Sequence, residues 1–482
     1  MAPYLIIILA ILLRLNNIDK PEGLWNDEYV SWFVASTPFI KGFWTEVLKQ
    51  CHMPLYYLYL KPFSTCPDIV LRILSVIPSL LAIPVMYLIG KFYSKTCAKF
   101  CATTTAILPF LIYYSQEVRF YSLLFFFSTL SLYFLLKIII EKKGFWGYTI
   151  SSLLILFTHI LGSIYVLPTT FYLIYKKNRF SKWFLLGSLA FFILLYPFAK
   201  ILLTMIPHSQ WWGNFSYTNI LFLFSDFFSP ILTNNINAPT TFFYSQNLCM
   251  NILLTIPTIF AGIGIALGFK QFKGLTLIAL SVIITMGILA QCGIIVFITK
   301  YLIEILPIFI LIFSFGLSQT KIRNIIFYMF MFINILATFT PFYPTKIPRV
   351  EGHKLVADAL LMQNPDKIIF TYYDENRFSR YLPKEYTSYH ISKINRVEYL
   401  ENPSRILDNI KKNETFSVVF LDSVSFIPEN FIEQAKQNNL PEMFVTFSII
   451  KNELTNTIKK TCNDISIEKT GSWSVISAKK FK

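Results

Sequence analysis

Long apolar stretches constrain this chain more than any other feature of its sequence. About eleven of them reach roughly 17 to 25 residues, the length that an α-helix needs to cross the hydrocarbon core of a bilayer. With 54% hydrophobic residues among 482, the chain has more apolar surface than a soluble domain can bury. We therefore predict a polytopic α-helical membrane protein. The centres of the stretches lie near residues 10, 80, 106, 129, 152, 167, 195, 260, 286, 309 and 333.

The excess of positive charge, +16 in all, lies mainly in the apolar part of the chain, where it alternates between successive connections. This pattern reflects the two sides of a membrane and argues against a nucleic-acid partner. When alternate connections are grouped, one set holds fourteen basic residues and a single acid, Glu141. The positive-inside rule places this set in the cytoplasm. The other set, on the outer face, holds nine of the ten acids before residue 344. The fourteen basic residues are Lys91, Lys95, Lys99, Lys137, Lys142, Lys143, Lys176, Lys177, Arg179, Lys182, Lys270, Lys273, Lys321 and Arg323.

The composition changes near Thr345 to that of an ordinary soluble domain. We predict a membrane domain over residues 1–343 and a small C-terminal α/β domain over residues 344–482, on the outer face. Residues 16–67 form the first outer loop, in which Cys51 and Cys66 could form a disulfide if the compartment is oxidising and otherwise stay free thiols. In the C-terminal domain, apolar runs at 367–373, 417–421 and 443–450 predict strands, and the spacing at 354–362 and 431–439 predicts helices.

Two adjacent carboxylates, Asp27 and Glu28, lie at the start of the first outer loop. Neighbouring residues on a helix point about 100° apart, so both cannot face one reacting atom. Asp27 is our candidate for the general base that deprotonates an acceptor hydroxyl. Glu28 would then position or bind another group. The alternative is structural, with Asn26 as a helix N-cap and the two acids in the first turn.

Two cations at other outer connections are candidate phosphate ligands. Arg119 has the planar guanidinium that suits a phosphate, and its alternative partner is Glu117 at the membrane edge. Lys300, followed by Tyr301 at the start of an apolar stretch, is the second candidate. A lysine at a helix end also extends its ammonium towards the interface without any ligand, which explains Lys300 equally well.

Histidines and aromatic residues complete the candidate site. His52 could bind a phosphate or a metal ion. The aromatic run that follows it, with Tyr57, suits an isoprenoid chain or simple membrane anchoring. Gln116, Glu117, Tyr57 and His159 are assigned supporting roles, with an ordinary interfacial polar residue as the alternative for His159. No cofactor is required. The residues that would hold a divalent cation are Glu28, Glu117, His52 and His159.

Four motifs together resemble the GT-C polyprenyl-phosphate-dependent glycosyltransferases, and among them glycosyltransferase family 39, which includes protein O-mannosyltransferases and aminoarabinose transferases. The resemblance implies a GT-C fold with interfacial helices in the first outer loop. It also implies that Asp27 is the catalytic carboxylate and that Arg119 and Lys300 lie near the lipid phosphate. The motifs are Trp25–Glu28, His52–Tyr57, Tyr114–Tyr121, and Lys300-Tyr301 with Leu306-Pro307.

These features predict a multi-pass glycosyltransferase of the plasma (inner) membrane with an extracytoplasmic active site. It would move a sugar from a polyprenyl-phosphate carrier to a hydroxyl of a lipid, glycan or protein. The sequence has no GxGxxG or GxxxxGK[ST] loop, which agrees with a lipid-linked rather than a nucleotide donor. Two alternatives are a flippase or transporter of lipid-linked sugars, and a metal-dependent enzyme of the same fold with a diphosphate-linked donor.

Overall fold

The computed structural model divides the chain into two compact units. The first, here called the membrane unit, is Met1–Ile18 with Val30–Ile347; the second, the C-terminal unit, is Asp19–Tyr29 with Pro348–Lys482. The predicted domain limits at 343 and 344 stay a prediction. The residues that the structure describes are 3–19, 23–40, 42–50, 53–176, 218–229, 248–292, 294–295, 297–339, 353–364, 366–370, 380–382, 391–393, 415–421, 455–456, 458–460, 462–470 and 473–480.

Helices make up nearly all of the described part of the membrane unit, and the first helix of its first loop, α2, begins in the C-terminal unit. The helices are α1 (Pro3–Leu15), α2 (Asn26–Ser36), α3 (Phe43–Lys49), α4 (Leu55–Leu60), α5 (Asp68–Lys91), α6 (Lys95–Ile107), α7 (Pro109–Ser115), α8 (Tyr121–Glu141), α9 (Phe145–Thr158), α10 (Gly162–Tyr175), α11 (Thr218–Phe228), α12 (Leu248–Gly268), α13 (Lys273–Gln291), α14 (Leu306–Ser318) and α15 (Arg323–Phe339). Short 3-10 helices cover Lys61–Phe63, Phe269–Phe272 and Thr299–Ile305.

Four helical segments of the described chain are long and apolar enough to cross a membrane. The third of these is 37 residues long and contains both predicted centres at 260 and 286. α6 and α7 add a fifth segment, bent by 52° where they meet, at the predicted centre 106. These segments confirm the polytopic helical membrane class, whereas the count of eleven stays a prediction. The four are Asp68–Lys91, Tyr121–Glu141, Thr255–Gln291 and Thr299–Ser318.

Arg14, which interrupts the first apolar stretch, donates hydrogen bonds to the backbone at the break between α6 and α7. Pro109 has no N–H, so the carbonyl oxygen of Thr105, four residues earlier, lacks its usual helical donor. The Arg14 guanidinium supplies one, since Nη2 donates to Thr105 O at 3.0 Å and Nη1 to Ala106 O at 2.7 Å. Its Nε donates to Ser79 Oγ on α5 at 2.9 Å. The fully buried charge is therefore matched by acceptors from two other helices.

Glycines set how closely α12 and α14 approach each other. A Cβ added to Gly316 would overlap the carbonyl oxygen of Gly264 and lie 2.5 Å from the backbone nitrogen of Gly268. A Cβ on Gly264 would lie 2.6 Å from the Phe313 ring. Small residues at such positions let two helix backbones come into direct contact within a membrane. The Gly264-x-x-x-Gly268 spacing thus serves helix packing.

The first loop contains helices, as predicted, and Lys61 connects its last part to the end of α2. Lys61 Nζ donates to the carbonyl oxygens of Ala35 at 3.0 Å and Thr37 at 2.6 Å, at the end of α2. It also lies over the rings of Phe39 and Phe43, 4.5 and 4.8 Å from their centroids. A cation near a helix C-terminus and over aromatic faces is favourably placed for both. The loop is therefore a folded structure around this lysine.

The C-terminal unit contains a mixed five-stranded sheet in the order β2-β1-β3-β5-β4. β1 is parallel to β2 and β3, while β5 is antiparallel to β3 and β4. The structure confirms the predicted strands near 367 and 417 and the helix near 354, whereas 431–439 and 443–450 lie outside the described residues. The elements are α16 (His353–Gln363), β1 (Lys367–Phe370), β2 (Ile391–Lys393), β3 (Thr415–Leu421), β4 (Cys462–Thr470) and β5 (Trp473–Lys480).

Replacing Arg14 with methionine should lower the free energy of unfolding by about 3 kcal/mol, because two buried carbonyl oxygens lose their donor. Chemical denaturation in mixed micelles measures this. Arg323→Met is the matched control, since Arg323 is exposed and, within the described part of the chain, donates to Ser318 O at 3.1 Å. Equal losses in the two variants would contradict a special role for Arg14.

Candidate active site

The two acids at the start of the first loop have different surroundings. α2 begins at Asn26, so Asp27 and Glu28 both lie in its first turn. Glu28 is fully buried, and its Oε2 accepts a hydrogen bond from the backbone N–H of Trp25 at 3.2 Å. This is one half of a capping box, in which an acid in the first turn satisfies the backbone just before the helix. The structural alternative thus holds for Glu28 as an acid of the first turn, but Trp25 and not Asn26 precedes the helix. Asp27 is half-exposed.

Arg119 lies in the turn between α7 and α8 and is almost entirely buried. Its Nη1 donates to the hydroxyl of Ser31 at 3.2 Å, and its backbone N–H donates to Glu117 O at 2.7 Å. Its guanidinium carbon is 5.3 Å from the centroid of the Phe120 ring. The turn thus places a desolvated guanidinium against α2 and against the start of α8.

Lys300 and Arg119, far apart in sequence, meet at the ring of Tyr121. Lys300 Nζ lies 5.5 Å from the centroid of this ring, and the guanidinium carbon of Arg119 lies 6.0 Å from it. Both cations and the carboxylate of Glu117 act electrostatically on the hydroxyl of this tyrosine, so the charges of three side chains meet here. Among the described residues, the buried Tyr121 hydroxyl has no hydrogen-bond partner, so it can also donate to a ligand.

A neutral histidine borders this pair of cations. His159 stacks between Phe120 and Tyr301, with ring centroids 4.5 and 5.7 Å away. Burial, and after it the positive charge of Arg119, lowers the pKa of His159 to about 3. Its Nδ1 accepts a hydrogen bond from the backbone N–H of Leu161 at 3.3 Å, which requires the neutral form of that nitrogen. His159 therefore supports the site by packing rather than by charge.

Gln116, in the same turn as Arg119, has a clear structural contact. Its Nε2 donates to the carbonyl oxygens of Arg14 at 2.9 Å and Asn16 at 2.8 Å, at the end of α1. Buried Glu117 interacts electrostatically with the hydroxyls of Tyr114 and Tyr121. The turn 115–120 is therefore anchored to α1 on one side, and on the other it brings a carboxylate to the tyrosines.

Of the other predicted site residues, the structure describes Tyr57 but not His52. Tyr57 is buried in α4, with its ring 6.4 Å from that of Tyr56. His52, and Cys51, the candidate partner of Cys66, lie outside the described residues. Within the described part of the chain, no three His, Cys, Asp or Glu residues lie together as a group that could hold a metal ion. The alternative of a metal site stays a prediction.

Sequence reasoning did not single out two buried acids in this unit. Thr299 Oγ1 donates to Asp226 Oδ2 at 2.5 Å, so Asp226 braces the residue directly before Lys300. Glu304 lies one turn further on and is buried, and its Oε2 has no hydrogen-bond partner among the described residues. Each is the single acid of its helical segment. Such placement costs free energy and usually marks a functional position, so this signal was present in the sequence.

We expect the protein to lose stability below pH 6.5, because His159 must be protonated on unfolding but stays neutral when folded. A lowered pKa in the folded state contributes stability above pH 6.5 that is lost as the pH falls towards 3, at up to about 1.4 kcal/mol per pH unit. His159→Phe keeps the aromatic stack and should flatten the decline measured by denaturation between pH 6.5 and 4.5. An unchanged decline would contradict the neutral, buried state of His159.

The chain matches known proteins by structure and not by sequence. No protein-family model and no curated protein sequence matches it. The crystal structure of ArnT from Cupriavidus metallidurans bound to undecaprenyl phosphate matches with a TM-score of 0.53 and 10% identity, over 98% of this chain and 97% of that one. The apo structure of the same protein matches with a TM-score of 0.55, at the same identity and coverage.

A third match is to the Archaeoglobus fulgidus oligosaccharyltransferase tethered with an acceptor peptide, with a TM-score of 0.46 and 12% identity over 98% of this chain and 73% of that one. That score is below 0.5, so the fold assignment rests on the two ArnT structures. They confirm the predicted fold, and they show the fold alone. This chain therefore has the GT-C fold, the fold of ArnT, along nearly its whole length.

Proposed function

We propose that this protein is a glycosyltransferase that moves a sugar from a polyprenyl-phosphate carrier to an acceptor hydroxyl on the outer face of the membrane. The observation that carries the proposal is the meeting of Arg119 and Lys300 at the ring of Tyr121. A phosphate is the anion that such a pair suits, since a guanidinium and an ammonium can share its oxygens. The ArnT structure with bound undecaprenyl phosphate has the same fold and supports this choice of ligand.

Asp27 is the proposed general base. It takes the proton of the acceptor hydroxyl while the hydroxyl oxygen attacks the anomeric carbon of the sugar. The bond between that carbon and the phosphate oxygen breaks, the anomeric configuration inverts, and polyprenyl phosphate leaves. Arg119 and Lys300 stabilise the negative charge that develops on the leaving group. The proton of the acceptor ends on Asp27, and the sugar moves from the phosphate oxygen to the acceptor oxygen.

The position of Asp27 in α2 supports its role. Asp27 and Ser31 are four residues apart in this helix, and residues with that spacing lie on the same helix face. Ser31 is the residue whose hydroxyl accepts from Arg119. Of the two adjacent acids, Glu28 accepts a hydrogen bond from the backbone of Trp25, which gives it a structural role at the start of the helix.

Asp27→Asn should reduce transfer by about 10²-fold or more, because the amide cannot accept the proton. The assay incubates the purified protein with radiolabelled undecaprenyl-phosphate sugars and acceptor membranes, and measures both transferred label and released undecaprenyl phosphate. Asp68→Asn is the matched control, since Asp68 is also a half-exposed acid in the first turn of its helix. Its activity should equal that of the wild type.

Undiminished transfer in Asp27→Asn would remove Asp27 from the mechanism. Label that crosses the membrane without release of undecaprenyl phosphate would instead favour the flippase alternative. Loss of wild-type transfer on treatment with a chelator would favour the metal-dependent alternative.

Lys300→Met should raise the donor KM by about 10- to 100-fold, because a charge-assisted contact to phosphate is lost. Lys300→Arg keeps the charge and should restore most of the affinity. Lys176→Met is the matched control, since Lys176 Nζ also lies over two tyrosine rings, 5.5 Å from Tyr172 and 5.7 Å from Tyr175. If Lys300→Met left the donor KM unchanged, Lys300 would not bind the phosphate.

A further inference from the structure

The segment that leads into α2 belongs to the C-terminal unit. Asp19–Tyr29 clusters with Pro348–Lys482, although more than three hundred residues separate the two in the sequence. Composition alone marks the C-terminal domain as a stabilising appendage, or as a guide for the acceptor. Its contacts with this short segment indicate a more specific task.

A tyrosine of the C-terminal unit holds the backbone of this segment. The N–H of Leu24 donates to the hydroxyl of Tyr381 at 2.7 Å, and the Leu24 side chain is fully buried. Leu24 precedes Asp27 by three residues. The contact is thus a direct hydrogen bond between the C-terminal unit and the approach to the proposed base.

The neighbouring glycine shows how closely the two parts approach. Gly23 has a φ of +81°, a conformation that side chains with a Cβ rarely adopt. A Cβ built there would lie 2.7 Å from Cβ of Lys354 in α16 and 3.3 Å from the hydroxyl of Tyr381. Only glycine fits both the backbone conformation and the space, so the segment is held against α16 and Tyr381.

Between Leu24 and Asp27 the backbone has little freedom to move independently. The N–H of Trp25 is bound by Glu28 Oε2, and the carbonyl oxygen of Trp25 accepts from the N–H of Tyr29 at 2.8 Å. The helix then starts at Asn26. A displacement of Leu24 is therefore passed on to the first turn of α2, where Asp27 lies.

We propose that the C-terminal unit positions the catalytic carboxylate: Tyr381 holds the segment before α2 and thereby sets where Asp27 stands. Tyr381 is a positioning residue, since it acts through the backbone of Leu24. The inference rests on the proposed role of Asp27 and adds to it a task for the second unit. Because a small misplacement of a reacting group is enough to slow a reaction, one hydrogen bond at this position matters for rate.

The test is Tyr381→Phe in the full-length protein in lipid nanodiscs. This variant loses only the hydroxyl that accepts from Leu24. Hydrogen–deuterium exchange should show the Leu24 amide exchanging about fivefold faster or more, because one hydrogen bond is lost. The kcat for transfer should fall about tenfold with the donor KM unchanged, since the phosphate ligands are untouched. Gly23→Ala should act in the same direction by forcing the segment away from α16.

Tyr328→Phe is the matched control, because Tyr328 is an exposed tyrosine on α15 that loses the same atom. It should leave both the exchange of Leu24 and kcat as in the wild type. Unchanged Leu24 exchange in Tyr381→Phe would overturn the inference, and so would faster exchange with an unchanged kcat. If the wild-type protein transferred no sugar, the proposed function would fail, while the exchange experiment would still decide whether Tyr381 holds the segment.

Discussion

The site of this protein depends on one buried guanidinium at a break in a helix. Pro109 ends the ladder of α6, and Arg14 donates to the carbonyl oxygens left at the break and to Ser79 of α5. Gln116 then donates back to the end of α1. Without these bonds, buried polar atoms would lack partners in an apolar surrounding, which is more costly than in water. Hydrogen bonds to the end of α1 thus fix the position of the turn after α7.

The two cations near this turn, Arg119 and Lys300, have contacts that stabilise their charge in an apolar surrounding. Arg119 is stabilised by the Ser31 hydroxyl and by aromatic faces, and Lys300 follows a threonine that Asp226 holds. His159 adds bulk without a further positive charge, since its pKa is lowered to about 3. The result is a small region of positive potential beside aromatic rings. Such a region suits a ligand with an anionic head, because the protein has met part of the cost of desolvation on folding.

The two halves of the proposed chemistry belong to different compact units. The proposed phosphate ligands are residues of the membrane unit, and the proposed base lies on a segment that clusters with the C-terminal unit. Gly23 and Leu24 show why this segment is tied to the second unit, through a positive φ and a hydrogen bond to Tyr381. In the proposed arrangement, the C-terminal unit holds the segment that carries the base.

The sequence by itself determined the membrane class, several spans, the helices of the first loop and part of the C-terminal sheet, because these follow from apolar length and periodicity along the chain. It also identified Arg119 and Lys300 as candidates by residue type. Only the tertiary structure decided that these cations share Tyr121, that Arg14 serves a helix break and that Glu28 caps α2. It also decided that Asp226 braces Thr299. Each of these contacts forms only in the folded chain. Hydropathy shows how strongly a residue avoids water, but it does not specify which partner the residue contacts.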